Sequence, residues 1–258
     1  MPLPLAATVS AAASWLGWQA RTLTTSGVVA AWTVGTLVLY GSGWNGGAVL
    51  AAFFIGSNLI SRLGRKPAVV PFEAKPDRRD AWQVYANGGP AALGALLGRI
   101  DATLGVWVLT ASLAAAAADT WATAVGTRSP TMPRLLGIGA RVPAGTNGGM
   151  TLVGSLAALA GASTVAAAGA LAGGRLWLLP LGTLVGFAGM AVDSLAGATI
   201  QGRFFCAACN KSSEWRVHRC GTRTDLRGGL SWMNNDAVNL LATALAGAAA
   251  LCMGRWLD

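Results

Sequence analysis

Long apolar segments separated by polar connections are the main pattern of this sequence. A membrane-spanning helix needs about 20 predominantly apolar residues, with about 17 as the lower limit. Eight segments meet or approach this condition: 2–19, 27–42, 45–61, 81–98, 102–122, 149–173, 176–199 and 236–254. The pattern predicts an all-α, polytopic integral membrane protein with about eight transmembrane helices, or seven, in a single domain over residues 1–258.

Three of these segments need comment. The second and third are short, and the glycine-rich stretch 41–47 between them also fits a re-entrant hairpin. The fourth contains Asn87, two glycines and Pro90, which we expect to break or kink the helix. Because broken backbone at membrane depth is tolerated only against protein or a water-filled cavity, we expect this segment to line a site.

The positive charges lie mostly in alternate connections. The first apolar segment has no basic residue before Arg21, so we interpret it as a membrane helix rather than a secretory signal. With the N-terminus outside, sixteen of the 19 Lys and Arg residues fall in cytoplasmic connections. This excess predicts the orientation of the protein, and it puts the long connections 62–80, 123–148 and 200–235 in the cytoplasm.

The charge also bears on the class of partner. A soluble domain carries roughly a quarter charged residues, whereas this chain has 11%. The basic residues form no continuous stripe, so the formal net charge of +9 indicates membrane topology and contact with lipid or phosphate, and no nucleic acid.

Four aspartates lie at the cytoplasmic ends of predicted helices. Asp80 and Asp236 open the fourth and eighth helices, while Asp119 and Asp193 lie near the ends of the fifth and seventh. Capping explains an aspartate at a helix N-terminus as well as a functional role does. At a C-terminal end, however, a carboxylate opposes the helix dipole. Asp119 and Asp193 therefore need another partner, and a divalent cation is suitable.

Two further features are suited to phosphate. A glycine-rich turn at 145–149 precedes a helix that begins at Thr151, and such a turn offers free N–H groups to an anion. Basic side chains just before Asp80 would neutralise phosphates, although a basic loop at a membrane surface also sets topology. They are Lys75, Arg78 and Arg79. Carboxylates for Mg²⁺ together with these groups are what phosphoryl transfer requires.

The connection 200–235 contains a pattern of metal ligands, C-x2-C-x8-H-x-C. Its members are Cys206, Cys209, His218 and Cys220. Closed tetrahedral zinc sites use four such ligands, and a metal would fold a short segment that has no core of its own. We predict a structural Zn²⁺ knuckle here, with unliganded thiols as the alternative.

Five stretches in order resemble domain-of-unknown-function family 92, a family of membrane proteins that includes phytyl-phosphate kinase. They are RDAWQV at 79–84 with NGG at 87–89, ADTWAT at 118–123, RVPAGTNGG at 141–149, DSLAGAT at 193–199 and NNDAVN at 234–239. The resemblance covers nearly the whole chain. It departs at Ala124, where the family usually has an acidic residue, which puts activity or the mode of metal binding in doubt.

The resemblance implies a Mg²⁺-dependent kinase that moves a phosphoryl group from a nucleoside triphosphate to an isoprenoid monophosphate. It implies that Asp119, Asp193 and Asp236 hold Mg²⁺, with Asp80 as a further catalytic residue. Phosphate binding falls to Lys75, Arg78, Arg79, Asn87, Gly145, Thr146, Asn147, Gly148, Asn235 and Asn239. The cysteine segment is similar to bacterial members, so we expect a plasma membrane of bacterial type with the site facing the cytoplasm.

A transporter or carrier of a lipid-linked or small anionic substrate is the alternative, because a broken helix and intramembrane aspartates suit it equally well. A transporter needs polar groups along its whole path, and the outer half of this sequence offers little besides Arg99 and Asp101. A purely structural membrane subunit would not explain aspartates at helix C-termini.

Overall fold

The fold is a helical bundle with a small β-sheet at one end, and the computed structural model describes residues 1–63 and 78–254. These ranges contain seven helices: α1 Leu3–Gln19, α2 Thr25–Leu63, α3 Ala81–Leu97, α4 Ala102–Gly126, α5 Leu152–Gly173, α6 Leu178–Thr199 and α7 Asn235–Gly254. Five of them, α2 and α4 to α7, are long and apolar enough to cross a membrane. The predicted all-α membrane architecture is confirmed.

Seven helices replace the eight that we favoured because the segments 27–42 and 45–61 belong to one helical element, α2. Its backbone is non-helical at Gly43, with φ 59° and ψ −149°, and the chain reverses there. A Cβ built on Gly46 would lie 3.1 Å from Cγ1 of Val38, whereas eight residues of straight helix span about 12 Å. The two legs of α2 are therefore antiparallel.

Contacts at the other end of this hairpin confirm the reversal. The Arg62 guanidinium donates to the carbonyl of Ala20, so both termini of α2 lie beside the end of α1. The tip of the hairpin lies at the opposite end of the bundle, where Ser42 Oγ donates to the Ala95 carbonyl in the last turns of α3. Within residues 1–63 and 78–254 the chain thus crosses the bundle eight times.

The central helix is α4, which packs against α2, α3, α5, α6 and α7. Every residue from Gly105 to Ala118 is buried, and most are small. Small side chains let helix backbones approach closely, which is how helices associate when lipid surrounds them. The outward faces of α5 and α6 instead carry exposed leucines such as Leu171 and Leu184.

The long connections meet at one end of the bundle, which we call the loop end. It comprises 20–24, 78–80, 127–151 and 200–234, and it includes the C-termini of α4 and α6 and the N-termini of α5 and α7. At the opposite end the described part of the chain has short connections, at Gly43, 98–101 and 174–177. The predicted gathering of polar residues on one side of the bundle is confirmed.

Five short strands lie in the connections of the loop end. In the connection 127–151, strand β1, Arg134–Leu135, pairs antiparallel with strand β2, Gly149–Met150. In the last, β3, Arg203–Cys206, is the middle strand between β4, Lys211–Ser213, and β5, Asp225–Gly228. Segment 200–235, which we expected to be a loop, therefore contains a three-stranded sheet.

The predicted break in α3 does not occur. The helix is continuous from Ala81 to Leu97 with Pro90 inside it. Asn87 Nδ2 donates to the Gln83 carbonyl of its own helix. The segment therefore offers no unwound backbone to a site.

Candidate functional site

A cavity of about 130 Å³ lies at the loop end, between the end of α4, the start of α5, the end of α6 and the connection 127–151. Predicted site residues from four separate parts of the sequence line it. They are Asp119, Gly145, Thr146, Asn147, Gly148, Asp193 and Asn235. The structure therefore brings the two predicted intramembrane aspartates and the predicted anion-binding turn to one place.

Small residues on α4 and α6 bring the two aspartates together. A Cβ built on Gly189 would lie 2.5 Å from the Ala115 Cβ, so the two helices touch there. Asp193 and Asp119 each come four residues later, which is one turn further along on the same helix faces. Both carboxylates consequently reach the same cavity.

One oxygen of the Asp193 carboxylate has no hydrogen-bond partner. Its Oδ2 is buried and accepts no hydrogen bond. A buried polar atom without a hydrogen bond costs roughly 1–3 kcal/mol, and a charged one costs more. With a second carboxylate lining the same cavity, the two negative charges repel each other. This donor set fits a cation bound by carboxylate oxygens, as Mg²⁺ is.

The turn 145–149 is held against α6 by glycine. Gly148 has φ +76°, and a Cβ there would lie 2.5 Å from the Ser194 carbonyl oxygen and 2.6 Å from the Ala198 nitrogen. A Cβ on Gly197 would in turn lie 3.1 Å from the Gly148 nitrogen. Only glycine permits this contact, which fixes the turn one helical turn beyond Asp193.

The N-terminus of α5 faces the same cavity. Thr151 is its N-cap, and its hydroxyl accepts from the Gly154 amide at 3.0 Å. Thr151, Gly154 and Ser155 all line the cavity. The predicted arrangement of a glycine-rich turn leading into a helix N-terminus is thus confirmed, and the positive end of the helix dipole is directed at the cavity.

Gln201 is a polar lining residue that the sequence motifs do not include. Gln201 follows α6 and is only 3% exposed, and its Nε2 has no hydrogen-bond partner. The nearest motif, DSLAGAT, ends at residue 199. The spacing could have predicted this position. Gln201 comes eight residues after Asp193, which is close to two helical turns and indicates the same helix face.

Other predicted phosphate-binding and catalytic residues lie at the loop end but outside the lining of the cavity. Asp80 caps α3 in a capping box with Gln83, as the capping interpretation predicted. The Arg79 guanidinium lies 5.5 Å from the centre of the Phe53 ring, and burial lowers the pKa of Arg79 to about 10, so it stays charged at neutral pH. The remaining members of this group are Arg78, Asn87, Asp236 and Asn239.

Lys75 and Asp236 were also predicted to belong to the site. Lys75 lies outside the described residues. Asp236 begins α7 beside Asn235, but only Asn235 reaches the lining of the cavity. The structure thus pairs Asp119 with Asp193 at the cavity and does not add Asp236 to its wall.

A second, more open cavity of about 550 Å³ adjoins the first. The two share Met150, Thr151 and Ser155. The walls of the second cavity are largely apolar, with Leu135, Leu136, Ile138 and Leu152 alongside Arg134. A polar cavity therefore opens beside an apolar one of a size typical of ligand pockets, about 300–1,000 Å³.

The predicted metal ligands of the last connection come together. Cys206, Cys209, His218 and Cys220 place their ligand atoms within 4.8 Å of one another. Cys206 ends β3, and His218 Nδ1 lies 3.0 Å from the Cys220 sulfur. All three cysteines are free thiols. Among residues 1–63 and 78–254 this is the one group of three or more such side chains that could hold a metal.

The thiols of this cluster differ in acidity. Hydrogen bonds with the Thr222 and His218 side chains lower the pKa of Cys220 to about 6. A hydrogen bond with Cys220 raises the pKa of Cys209 to about 11. One thiol of the group is thus ionised at neutral pH, and the thiolate is the form that binds metal.

The fold and the aspartate site define a helical membrane protein with a polar cavity at one end, and the comparison with known families agrees. A model of the integral membrane protein family DUF92 matches residues 8–247. The chain belongs to this family.

Several relatives are similar over most of their length. Protein PGR of Arabidopsis thaliana is 30% identical, over 94% of this chain and 93% of its own. An uncharacterized membrane protein of Methanocaldococcus jannaschii is 31% identical, over 89% and 84% of the two chains, and one of Synechocystis is 26% identical, over 90% and 82%. No solved structure matches the chain.

Proposed function

We propose that this protein is a membrane phosphotransferase. On this proposal it moves a phosphoryl group from a nucleoside triphosphate to an isoprenoid monophosphate of the phytyl type. The observation that carries the proposal is the shared cavity, which is lined by Asp119, Asp193 and the turn 145–149. Phosphoryl transfer depends mainly on positioning and on charge stabilisation, and these residues are suited to both.

The carboxylates are the metal-binding part of the proposed site. Asp119 and Asp193 would hold Mg²⁺, and the unpartnered Oδ2 of Asp193 supports this assignment. When bound, the ion would neutralise phosphate oxygens in the transition state. This chain has Ala124 where an acidic residue would be expected. The proposed metal site does not depend on that residue, because Asp193, far from Ala124 in the sequence, is one of its ligands.

The turn and the helix N-terminus are the anion-binding part. Backbone N–H groups of residues 145–149 and the positive end of α5 would hold phosphate oxygens. Hydroxyls of Thr151 and Ser155 line the same cavity. Among the residues that line it, no Lys or Arg contributes, so backbone donors would carry this role.

The adjoining apolar cavity supports a lipid-linked acceptor. The phosphate of such a lipid would lie in the polar cavity, and its chain would lie along Leu135, Ile138 and Leu152. Arg134, which also lines the apolar cavity, would neutralise a phosphate oxygen near the junction. Both cavities lie at the same end of the bundle, as chemistry at one membrane face requires.

The transfer itself is a single displacement. An oxygen of the lipid monophosphate forms a bond to the terminal phosphorus of the nucleotide, and the bond from that phosphorus to the bridging oxygen breaks. The products are the lipid diphosphate and a nucleoside diphosphate. The chain would orient the two phosphates in line and exclude water.

The cysteine cluster is proposed as a structural zinc site. Three thiols and one imidazole form a closed set of four ligands, and their ligand atoms already lie within 4.8 Å of one another. With twelve of the 19 Lys and Arg residues in the described connections of the loop end, the positive-inside rule supports a cytoplasmic site in a plasma membrane of bacterial type.

A phosphotransfer assay in nanodiscs tests the proposed function. Phytyl and geranylgeranyl monophosphates are offered with each of the four common nucleoside triphosphates and Mg²⁺, and lipid diphosphate is measured. We expect product with at least one pairing. Folded protein that forms no diphosphate with any pairing would overturn the proposal and favour a carrier of the same anions.

A further inference from the structure

We propose that Gln201 is a phosphate-binding residue of the polar cavity, with its side-chain amide donating to a phosphate oxygen. This inference rests on the proposed function and adds a residue that the family motifs quoted above do not contain. The structural basis is one buried amide that lines the cavity and has no partner for its Nε2.

The backbone around Gln201 is firmly held, so its side chain is pre-positioned. The backbone N–H of Gln201 donates to the Ala196 carbonyl at 3.0 Å, and the backbone N–H of Leu230 donates to the Ile200 carbonyl at 2.9 Å. Next to it, the Gly202 amide donates to the Met233 carbonyl at 2.8 Å. The residue is thus fixed between the end of α6 and the segment that leads into α7.

A buried Nε2 without a partner has an energetic consequence. Leaving such a donor unpaired costs roughly as much as a lost hydrogen bond, whereas an anionic acceptor makes a stronger bond than a neutral one. Chains retain a buried donor of this kind when something accepts from it. Within this cavity the acceptor must come from a ligand or from water.

Two residues that line this cavity each have a buried side-chain atom without a hydrogen-bond partner, and the two atoms are opposite in character. Asp193 Oδ2 is an acceptor and Gln201 Nε2 is a donor, and neither is satisfied by the chain. A ligand that offers a cation to the first and an anionic oxygen to the second would satisfy both. A metal–phosphate complex has this chemistry, whereas a bare metal ion would satisfy the aspartate alone.

The position of Gln201 supports a phosphate between it and the turn 145–149. A Cβ built on Gly197 would lie 3.4 Å from Oε1 of Gln201 and 3.1 Å from the backbone nitrogen of Gly148. The side-chain amide therefore lies beside the backbone of the turn. An oxygen bound in this corner would receive hydrogen bonds from the Gln201 side chain and from the turn at once.

Equilibrium binding to the full chain in nanodiscs tests the inference. The probes are Mn²⁺ alone, followed by paramagnetic resonance, and inorganic pyrophosphate with Mg²⁺, followed by calorimetry. Gln201→Met keeps the length and burial of the side chain and removes the donor. We expect Gln201→Met to bind Mn²⁺ as the unmodified protein does and to bind Mg²⁺–pyrophosphate at least about tenfold more weakly.

Gln201→Glu is the second variant, because it has the same shape and also lacks the donor. We expect it to weaken pyrophosphate binding further by charge repulsion without weakening Mn²⁺ binding. Asp119→Asn should weaken the binding of both probes, Mn²⁺ and Mg²⁺–pyrophosphate. Unchanged pyrophosphate affinity in a folded Gln201 variant, alongside loss in Asp119→Asn, would overturn the role of Gln201 and leave the proposed function standing. Absence of pyrophosphate binding in the unmodified protein would contradict both.

Discussion

The hydroxyl of Thr243 on α7 lies 2.8 Å from the carbonyl oxygen of Ala86 on α3. Pro90 has no N–H, so it leaves the carbonyl of Ala86, four residues earlier, without its helical donor. The Thr243 hydroxyl supplies that donor, and Thr243 is only 1% exposed. Its hydroxyl also lies 2.9 Å from the Asn239 carbonyl and 3.1 Å from the Leu240 carbonyl of its own helix, so the single proton has three acceptors within reach.

Removal of this hydroxyl should destabilise the bundle. We expect Thr243→Val to lower the free energy of unfolding by about 1 kcal/mol, which is typical of one buried hydrogen bond. Thermal unfolding in detergent measures the change, and Thr243→Ser is the matched control because it keeps the hydroxyl. In a Pro90→Ala background, residue 90 regains its N–H and can donate to the Ala86 carbonyl. Thr243→Val should then lower the free energy of unfolding by a smaller amount. An equal cost in both backgrounds would contradict this account of α3.

The contact between the turn 145–149 and α6 should depend on Gly148. Alanine there would meet the backbone of Ser194 and Ala198, so we expect Gly148→Ala to move the turn and to reduce phosphotransfer at least about tenfold. Gly174→Ala is the control, because Gly174 also has positive φ but its Cβ would meet nothing within 4 Å. Equal activity of the two variants would show that the turn does not need this contact.

The Asp193 carboxylate should destabilise the protein when no cation is present. We expect Asp193→Asn to melt at a higher temperature than the unmodified protein without added Mg²⁺, because it removes one of two repelling charges. Mg²⁺ at about 100 times its Kd should stabilise the unmodified protein by about 2.7 kcal/mol and leave the variant unchanged. Mg²⁺ that stabilised both proteins equally would place the ion elsewhere.

The cysteine cluster should bind about one zinc ion per chain. We expect Cys206→Ser to lose this metal, because a closed site needs all four ligands, while Cys252→Ser on α7 should keep it. Elemental analysis of the purified proteins gives the metal content. Zinc well below one per chain in the unmodified protein would refute the knuckle.

Much of the fold follows from local sequence patterns. Apolar length predicts the crossings, and their alternation predicts that Asp119, Asp193 and the turn 145–149 share one end of the bundle. The spacing from Cys206 to Cys220 predicts the metal cluster, since its ligands lie close in sequence. The glycine-rich stretch 41–47 allows two short spanning helices or a re-entrant hairpin, and in both the chain reverses within this stretch.

The remaining features depend on contacts between distant residues. Pro90 and the preceding glycines predict a break in α3, but a hydroxyl 157 residues from Ala86 satisfies the freed carbonyl and the helix continues. Likewise, the fit of Gly148 against α6 and the burial of Gln201 arise only when α4, α5 and α6 pack together. The same packing separates Asp80, Arg79 and Asn87 from the cavity, although all of them lie at the loop end.

The rate of lipid diphosphate formation by aspartate variants tests the central claim most directly. Asp119→Asn is compared with Asp101→Asn, since Asp101 caps the opposite end of the same helix and asparagine caps equally well. We predict that Asp119→Asn is at least about 100-fold slower, on the scale of losing a group that stabilises transition-state charge, while Asp101→Asn keeps its rate. Turnover by Asp119→Asn at the rate of the unmodified protein would contradict the assignment of the site.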